Sequence, residues 1–312
     1  MEEIVNVFPN ALRPLCRAGF GRGMETEEIR LRTGRPVMVL GSRGEYFWNQ
    51  GEAKLQDARE GGYVWQESDM KETLSRMSRY SMYALEEELR HGFFTIQGGH
   101  RIGVAGRTVC EEGKVLSFRN ISGLNIRVAR QKKGCARELL PWLVCGDGIF
   151  NTLLLSPPGV GKTTMLRDCI RLLSEGSSAL PGRKVGVVDE RSEIAASFLG
   201  VPQNDLGHRT DVLDNCPKAE GMRLLLRSMS PQVIAVDELG GREDFLAVEE
   251  ALHCGCQIIG TMHARDAGEL QEKIYLTDWL AKGFFGRFVF LALGKNGERG
   301  FSVYDGGMHR LC

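Results

Sequence analysis

The sequence predicts an α/β protein in which a parallel sheet follows a smaller α+β domain. Three observations predict this fold class. After residue 130, short apolar runs alternate with amphipathic runs, which indicates parallel strands covered by helices on both faces. Before residue 130, β-prone runs are separated by glycine turns, which indicates antiparallel strands. The third observation is Leu153–Asp168, "LLLSPPGVGKTTMLRD", because it joins an apolar strand to a helix through a glycine loop.

The domain boundary is predicted at residue 130, where the polar, basic passage "VARQKKGCARELL" separates the two patterns. Residues 1–130 form the predicted α+β domain, and residues 131–312 form the predicted parallel-sheet domain. The chain has 312 residues, of which 42% are apolar, so it is long enough to build two cores.

In the first domain, residues 68–92 predict one helix, because Ser68 and Asp69 can cap its start and Gly92 can end it. The β-prone runs that follow are separated by glycine turns, the first of them at Gly98-Gly99. This pattern predicts an antiparallel meander.

In the second domain, predicted strands and helices alternate. The strands are residues 151–156, 184–189, 232–238, 257–263 and 284–293, and the helices are residues 163–174, 219–229 and 242–254. The carboxyl ends of parallel strands meet at one edge of a sheet, where such proteins bind their ligands. Polar clusters follow four of these strands, so the sequence predicts one site at this edge.

Composition and charge exclude several classes of protein. The sequence has no run of about eighteen apolar residues, which a membrane span would need. The acidic start "MEEIVNVFPN" lacks the features of a signal peptide. Nine cysteines without a C-x-x-C pair indicate reduced thiols, so we expect a cytoplasmic protein. Cys254 and Cys256 straddle a helix-to-strand turn without a second ligand pair, which favours a structural interpretation over a metal site. The net charge of zero gives no support to nucleic-acid binding, although it does not exclude a local basic surface.

The glycine loop predicts a nucleotide site for ATP and Mg²⁺. Its candidate binding residues are Ser156, Pro157, Pro158, Gly159, Val160, Gly161, Lys162, Thr163 and Thr164. Gly159 and Gly161 allow the N–H groups of the loop to turn toward phosphate. Lys162 can reach the β- and γ-phosphates, and the Thr163 hydroxyl can bind Mg²⁺. Ser156 replaces the glycine that usually opens this motif, and we expect it to alter the loop slightly without abolishing binding.

A second part of the site is "VIAVDELG", in which an apolar strand ends at Asp237-Glu238. Asp237 is the second predicted metal residue, because a carboxylate at this strand end can hold Mg²⁺ through water. Glu238 is the predicted catalytic residue that polarises the attacking water. The alternative is an exposed structural pair, but carboxylates beside a triphosphate must be neutralised by metal or protons.

Two further strand ends carry candidate catalytic residues. The phrase "VVDERSE" brings together Asp189, Glu190 and Glu193, either as an acidic box that orients water or Mg²⁺ or as a self-paired, solvated loop. His263 ends the fourth strand and can sense the γ-phosphate by hydrogen bonding. A satisfied core histidine is the alternative for this residue.

Several long phrases are more specific than the glycine loop. The span "LLLRSMSPQVIAVDELGGREDFLAVEEALHCGCQIIGTMHA" resembles the core of the type II and type IV secretion ATPases. The phrases "EIRLRTGRPV", "LSRYSMYALEEELRHGFFTIQGGHRIGVAG", "VVDERSEIA" and "RTDVLDNCPKAEGM" resemble, more closely, a sporulation family of endospore-forming bacteria. The second resemblance spans almost the whole chain.

The resemblance implies a RecA-like P-loop ATPase domain in a homo-hexamer, where the N-terminal domain packs against the neighbouring subunit. It implies that Asp237 assists the metal and that Glu238 activates the attacking water. It also implies that Glu193 and His263 occupy the acidic-box and histidine-box positions of that family. It also implies membrane-embedded channel or secretion proteins of the sporulation apparatus as partners. The chain would then act on the mother-cell side of a membrane that it does not cross.

Two other functions stay open. A nucleic-acid-dependent ATPase would use the same core, and the basic run within Arg127–Lys133 supports it weakly. A scaffold that binds nucleotide to assemble, with very slow turnover, is the other function, against which the acidic pair argues.

Hydrolysis in motors of this type commonly needs an arginine from the next subunit. The candidates are Arg119, Arg127, Arg209 and Arg227. Arg167 lies on the helix after the loop and is predicted to point away from the phosphates.

Overall fold

The computed structural model describes residues 1–20, 25–42, 44–49, 52–55, 62–79, 85–90, 92–177, 180–271, 282–294 and 298–312. Contacts divide the chain into two units, Met1–Arg130 and Gln131–Cys312. The division falls in the polar, basic passage where the apolar patterns of the sequence change. Each unit has its own sheet and its own buried core.

The first unit is built on an antiparallel sheet. Its strands are β1 (Thr26–Arg32), β2 (Met38–Gly41), β3 (Gly44–Asn49), β4 (Glu52–Leu55), β5 (Phe93–Ile96), β6 (His100–Glu111) and β7 (Lys114–Arg127). They lie in the order β4-β3-β2-β1-β7-β6-β5. The predicted meander β5-β6-β7 is confirmed. The strands β1 to β4 extend it, and the glycine-turn pattern did not predict them.

Helices cover one face of this sheet. They are α1 (Glu2–Val7), α2 (Arg13–Phe20), α3 (Glu67–Met77) and α4 (Glu86–Arg90). Their apolar side chains share a core with the inward-facing strand residues, among them Ile29, Phe94 and Ile126. Asp69 caps α3 by accepting the N–H of Gln66 at 3.0 Å.

The prediction of a single helix over residues 68–92 is wrong. The helix α3 ends at Met77, and Arg79 then adopts a left-handed φ of +49°. A residue in this conformation does not continue a right-handed helix. Residues 80–84 and 91 of the predicted helix lie outside the described residues, and α4 is a separate element between them.

The second unit is built on a mainly parallel sheet. After a short hairpin of β8 (Val144–Cys145) and β9 (Gly148–Ile149), its strands are β10 (Thr152–Leu155), β11 (Val185–Asp189), β12 (Thr210–Asp214), β13 (Val233–Val236), β14 (Gln257–Met262), β15 (Arg287–Leu293) and β16 (Arg299–Asp305). The order is β12-β11-β13-β14-β10-β15-β16, in which β16 alone runs antiparallel to its neighbour among the described strands. The predicted parallel sheet is therefore confirmed.

Helices lie on both faces of the parallel sheet. They are α5 (Leu140–Leu143), α6 (Lys162–Glu175), α7 (Lys218–Ser228), α8 (Arg242–His253) and α9 (Ala267–Gln271). On one face Leu154 shares a fully buried core with Leu166 of α6. On the other face Leu153 shares a core with Leu225 of α7 and Val248 of α8. Because both faces are covered, the central strands β10, β11 and β13 are almost entirely apolar until they end, and the polar site begins there. Among the described residues, no helix has the length and apolar composition that a bilayer span requires.

Candidate nucleotide site

The loop between β10 and α6 has the shape of a phosphate cradle. Gly159 and Gly161 have φ angles of +78° and +112°, which side chains with a Cβ rarely allow. A Cβ at Gly159 would meet no atom within 4 Å, so backbone conformation, and not space, favours glycine there. The amino end of α6 lies directly behind the loop, where its N–H groups favour an anion. The loop therefore fits a bound phosphate.

Lys162 is the first residue of α6, and its side chain lies inside the loop. It is only 6% exposed, and Nζ donates hydrogen bonds to Ser156 O at 2.8 Å and Pro157 O at 3.2 Å. Ser156 Oγ lies 3.3 Å from Nζ, so the residue that replaces the usual glycine contacts the lysine. Burial lowers the pKa of Lys162, and the charges of Asp237 and Glu238 oppose this shift. The loop thus holds a cation at its centre.

The two predicted metal residues come together at the start of α6. The Thr163 hydroxyl donates to Asp237 Oδ2 at 2.7 Å. The other oxygen of Asp237 accepts hydrogen bonds from the Thr261 hydroxyl and, at 3.1 Å, from the N–H of Glu238. Hydroxyl and carboxylate oxygens are ligands that Mg²⁺ prefers. Thr163 and Asp237 therefore fit a magnesium ion between the protein and a phosphate.

Glu238 has a partner on each carboxylate oxygen. Oε1 lies 3.2 Å from His263 Nε2, and Oε2 accepts a hydrogen bond from Arg191 Nη1 at 2.5 Å. The backbone of Glu238 is left-handed, with a φ of +53°, which costs a residue other than glycine roughly 1–2 kcal/mol. Strained residues of this kind cluster at functional sites.

The order of the strands places His263 between Lys162 and Glu238. The strand β14, which His263 follows, lies between β10, which leads to the loop, and β13, which leads to Glu238. The ring nitrogens of His263 are 3.0 Å from Lys162 Nζ and 3.2 Å from Glu238 Oε1. An ammonium donates only to an unprotonated Nδ1, which leaves the proton of a neutral ring on Nε2, facing Glu238. The side chain is 42% exposed, so it is not a buried core histidine.

The acidic loop after β11 is organised by a buried carboxylate. Asp189 is 1% exposed and accepts three backbone N–H groups at 2.7 to 2.9 Å. The donors are Glu193, Ile194 and Ala195. Burial raises the pKa of Asp189 to about 6. Asp189 therefore fixes the backbone of the loop, whereas Glu190 forms an ion pair with Lys218.

A small cavity brings the acidic loop to the catalytic candidates. Its lining residues are Asp189, Glu190, Arg191, Glu193, Lys218, Asp237 and Glu238. Glu190 pairs with Lys218 of α7, outside the acidic phrase, whereas Glu193 lines the same cavity as Glu238. A catalytic role for Glu193 stays a prediction. Arg191 was not singled out from the sequence. Its contact with Glu238 depends on β11 lying next to β13, and its place inside the acidic phrase was the signal that pointed to it.

The predicted arginines of the second unit lie away from the loop. Arg167 donates to two carbonyl groups of the acidic loop at 2.6 and 2.7 Å, so it joins α6 to that loop. Arg209 donates to Ser174 O at 2.8 Å, at the opposite end of α6 from Lys162. Since a helix rises about 1.5 Å per residue, Arg209 is too far from the loop to contact a phosphate of its own subunit. The three other candidates are exposed: Arg119 and Arg127 on β7 of the first unit, and Arg227 near the end of α7.

A second cavity, of about 400 Å³, adjoins the other side of the loop. It is lined by Gly134, Cys135, Arg137, Glu138, Val160, Gly161, Thr164, Met165, Leu291, Arg299, Gly300 and Phe301. The Arg299 guanidinium carbon lies 3.0 Å from the position that a Cβ on Gly161 would occupy. No local sequence pattern indicates this cavity, because three segments that are distant in the chain form it.

The two cysteines near α8 lie in different environments. Cys254 is exposed, whereas Cys256 is 7% exposed and its Sγ lies 3.1 Å from Pro231 O. Among the described residues, no group of three or more His, Cys, Asp or Glu side chains is placed to hold a metal ion. The structural interpretation of these cysteines is the one that the contacts favour.

The sheet order and the loop define a class of protein. The structure is similar to the pilus retraction motor PilT with bound ADP, with a TM-score of 0.59 and 17% identity over 93% of this chain and 80% of that chain. It is also similar to the ATPase DotB of Legionella pneumophila, with a TM-score of 0.54 and 17% identity over 89% of this chain and 76% of that chain. The fold is the RecA-like α/β fold of the type II and type IV secretion ATPases.

Within this class, the chain belongs to the family described as "Sporulation stage III, protein AA", which it matches over residues 1–311. The stage III sporulation protein AA of Bacillus subtilis strain 168 is 42% identical over 306 residues. These residues are 98% of this chain and 95% of that protein. Both resemblances inferred from the long phrases of the sequence are confirmed.

Proposed function

We propose that the chain is a Mg²⁺-dependent ATPase motor that energises a sporulation channel or secretion complex between mother cell and forespore. One observation carries the proposal: Lys162 lies inside a glycine loop, with Thr163–Asp237 and Glu238 beside it. Together these groups supply a cation for phosphate, ligands for a metal and a base for water. The sporulation protein and the pilus and secretion ATPases among the relatives support the biological setting.

Each residue beside the loop has a separate task in this proposal. Thr163 and Asp237 hold Mg²⁺, which neutralises phosphate charge when it is bound. Glu238 accepts a proton from the water that attacks the γ-phosphorus. His263 donates a hydrogen bond from its Nε2–H to Glu238 and keeps that carboxylate oriented toward the glycine loop. Glu193 lines the same small cavity as Glu238, where its carboxylate can orient that water.

The nucleoside half of ATP fits the cavity of about 400 Å³ beside Gly161. A base-binding pocket needs apolar walls with a few polar groups at the edges. Val160 and Phe301 supply apolar surface, and Glu138 supplies a hydrogen-bond acceptor. The planar guanidinium of Arg299 can stack on a base.

The test is ATP binding by the Lys162→Ala variant, measured by isothermal titration with Mg-ATP. We expect affinity to fall by roughly 10-fold or more, because the β- and γ-phosphates lose the cation of the loop. The control is Lys114→Ala, which removes an exposed lysine at the β6–β7 turn and leaves affinity unchanged. Equal ATP affinity in the parent and Lys162→Ala would remove the nucleotide-site proposal.

The assembly that we propose is a homo-hexamer on the cytoplasmic, mother-cell face of a membrane. Its partners in this proposal are membrane-embedded channel or secretion proteins of the sporulation apparatus. Membership of the sporulation family and the secretion-ATPase fold support this arrangement.

One observation favours a second candidate, a nucleic-acid-dependent ATPase. Strand pairing puts Arg30, Arg32, Arg101 and Arg127 on the face of the first sheet that is opposite to the buried core, with Glu28 among them. A depression of about 510 Å³ lies on this face. Clustered arginines bind phosphate backbones without sequence specificity.

Hydrolysis rates with and without single-stranded DNA or RNA separate these candidates. A channel motor hydrolyses at the same rate in both conditions. Stimulation by nucleic acid that the paired change Arg30→Ala and Arg32→Ala abolishes would favour the second candidate. ATP binding without measurable hydrolysis in any condition would favour the slow assembly scaffold.

A further inference from the structure

Arg191 is the arginine that the structure brings to the candidate base. Its Nη1 donates to Glu238 Oε2 at 2.5 Å, while Oε1 of the same carboxylate faces His263. Both oxygens of Glu238 are therefore engaged. A carboxylate can accept a proton from water only at an oxygen that is available to that water. Each carboxylate oxygen can accept a second hydrogen bond, and the departure of one partner would leave an oxygen wholly available to that water.

His263 is the partner that stays. It is held on its other side by Lys162, whose Nζ lies 3.0 Å from Nδ1. Its Nε2 proton can bond Glu238 Oε1 without taking the second oxygen. Arg191 has a longer side chain, which is 61% exposed, so its guanidinium can move while its backbone stays in place.

The backbone on both sides of Arg191 is fixed. Asp189, two residues earlier, is buried and accepts three N–H groups of the loop. Ser192 adopts a left-handed φ of +52°, and its hydroxyl donates to Asp214 Oδ1 at 2.6 Å. Arg167 binds two carbonyl groups of the same loop. The loop thus presents Arg191 from a rigid base.

Arg191 is the better placed of the two cations of the small cavity to bind an incoming anion. Of the two cations that line the small cavity, Lys218 is 13% exposed and paired with Glu190. Arg191 is the more exposed of the two, and it lies beside the carboxylate that the proposed reaction needs. A guanidinium binds phosphate oxygens through parallel N–H groups, which makes it suited to charge that develops on phosphate.

We propose that Arg191 is a catalytic arginine that acts in cis: it leaves Glu238 and binds the γ-phosphoryl oxygens of ATP in its own subunit. This inference rests on the proposed ATPase function. In the step it serves, a water oxygen bonds to the γ-phosphorus as the bond to the β–γ bridging oxygen breaks. That electron pair stays on ADP, and the proton of the water passes to Glu238. Arg191 balances the charge on the transferred group.

The proposal differs from the expectation of an arginine supplied by a neighbour. Arg119 and Arg127 belong to the first unit, which the secretion-ATPase resemblance packs against a neighbouring subunit. Arg191 belongs to the same loop as Glu193 and acts on the subunit that binds the nucleotide. The difference can be measured, because a cis arginine is not replaced by the intact arginine of a neighbouring subunit.

The first experiment compares nucleotide binding and turnover in the parent, Arg191→Ala, Arg191→Lys and Arg265→Ala. Arg265→Ala is the matched control, because it removes an arginine whose side chain is 78% exposed and whose partner is Glu269. We expect Arg191→Ala to lower kcat by roughly 10²-fold or more and to change ADP affinity by less than about threefold. Arg191→Lys keeps the charge without the fork and should recover only part of kcat.

A second readout separates contact with phosphate from mere support of Glu238. The probe is ADP with aluminium fluoride and Mg²⁺, which imitates the transferred phosphoryl group. Arg191→Ala should lose binding of this probe by about tenfold or more, whereas Glu238→Gln, which keeps the arginine, should retain it. Equal probe affinity in the parent and Arg191→Ala would mean that Arg191 supports Glu238 only, and the proposal would be overturned.

The third measurement mixes Lys162→Ala with Arg191→Ala subunits and follows phosphate release, with co-assembly checked by light scattering. A cis arginine predicts no recovery of hydrolysis in co-assembled mixtures. Recovery would mean that Arg191 acts on a neighbour and would overturn the proposal. The proposed ATPase function is tested by the parent protein alone. If the parent neither binds nor hydrolyses ATP, both that function and this inference are wrong. A parent that hydrolyses ATP at the same rate as Arg191→Ala removes this inference alone.

Discussion

At the scale of single residues, Glu238 shows how one side chain can be prepared for chemistry. Its left-handed backbone turns the carboxylate from the end of β13 toward the loop, and the Thr261 hydroxyl accepts its N–H at 2.8 Å. His263 and Arg191 then occupy its two oxygens.

Replacing Glu238 with glutamine should separate binding from hydrolysis. Glu238→Gln keeps the shape of the side chain but cannot take a proton, so we expect ATP binding to persist while kcat falls by roughly 10²-fold or more. The measurement is phosphate release beside isothermal titration. Glu243→Gln, on the exposed first turn of α8, is the control. If both Glu238→Gln and Asp237→Asn hydrolyse at the parental rate, the acidic pair is structural.

Ser156 is the residue at which the loop departs from its usual pattern. Its side chain is fully buried, and its hydroxyl donates to Pro157 O at 2.7 Å. Lys162 keeps its shorter bond to the Ser156 carbonyl oxygen, which a glycine would also provide. Ser156→Gly should therefore change ATP affinity by less than about tenfold, or roughly 1.4 kcal/mol. A much larger change in a titration would show that the hydroxyl itself contacts the nucleotide.

At the scale of elements, the site is a meeting of strand ends that other groups hold in place. Asp189 holds the backbone of the acidic loop through its hydrogen bonds, and Arg167 connects the same loop to α6. A shift of α6 when phosphate binds would therefore move the loop that carries Glu193. The mechanical link between phosphate cradle and acidic loop is a property of these elements together, and of neither one alone.

A buried histidine joins β6 to the segment after β7, and it predicts that the stability of the first unit depends on pH. His100, at the start of β6, is 4% exposed, and its Nδ1 accepts the N–H of Ala129 at 3.0 Å. Burial lowers the pKa of His100 to about 4, and the positive amino terminus contributes in the same direction. The unfolded chain takes up this proton near pH 6.5 and the folded chain does not. Stability is therefore lost as pH falls from about 6.5 to about 4.

The His100→Asn variant isolates this effect, because the amide oxygen can accept the Ala129 N–H without titrating in that range. We expect the free energy of unfolding to drop by about 2–3 kcal/mol more in the parent than in the variant between pH 7 and pH 4.5. Urea unfolding at the two pH values measures it. An identical drop in both proteins would mean that His100 binds its proton as readily in the folded state as in the unfolded one.

At the scale of the whole molecule, the chain has two units with different sheets and separate cores. The net charge of zero means that charge repulsion between copies does not oppose their association. The first unit carries clustered arginines, and the second unit carries clustered carboxylates. Opposite charges therefore lie on different parts of one chain. These features suit a protein that assembles with copies of itself.

We expect Mg-ATP to drive assembly of the Glu238→Gln variant to a particle of six chains. This variant should bind ATP without consuming it, so the assembled state should last long enough for light scattering to measure the mass. Lys162→Ala, whose ATP affinity should be lower, should keep the mass that it has without nucleotide at an ATP concentration that assembles Glu238→Gln. A particle whose mass is unchanged by Mg-ATP in every variant would contradict nucleotide-dependent assembly and leave the hexamer without support.

The sequence by itself determined most strands and helices of the second unit and the chemistry that they carry. Apolar runs that alternate with amphipathic runs indicated buried parallel strands, and the glycines of the loop marked positive φ angles that the structure has at Gly159 and Gly161. The polar residues at the strand ends were also readable, because they interrupt the apolar pattern. Local patterns failed at residues 68–92, where a left-handed Arg79 ends a helix whose spacing continues.

The tertiary structure alone decided which of these residues touch. His263 lies between Lys162 and Glu238 because β14 lies between β10 and β13 in the sheet. Arg191 contacts Glu238 because β11 is next to β13. Strand order depends on the packing of the whole sheet and its helices, so no local pattern contains it. For the same reason the sequence placed Arg209 among the candidates for phosphate binding, while the fold uses it to hold the far end of α6.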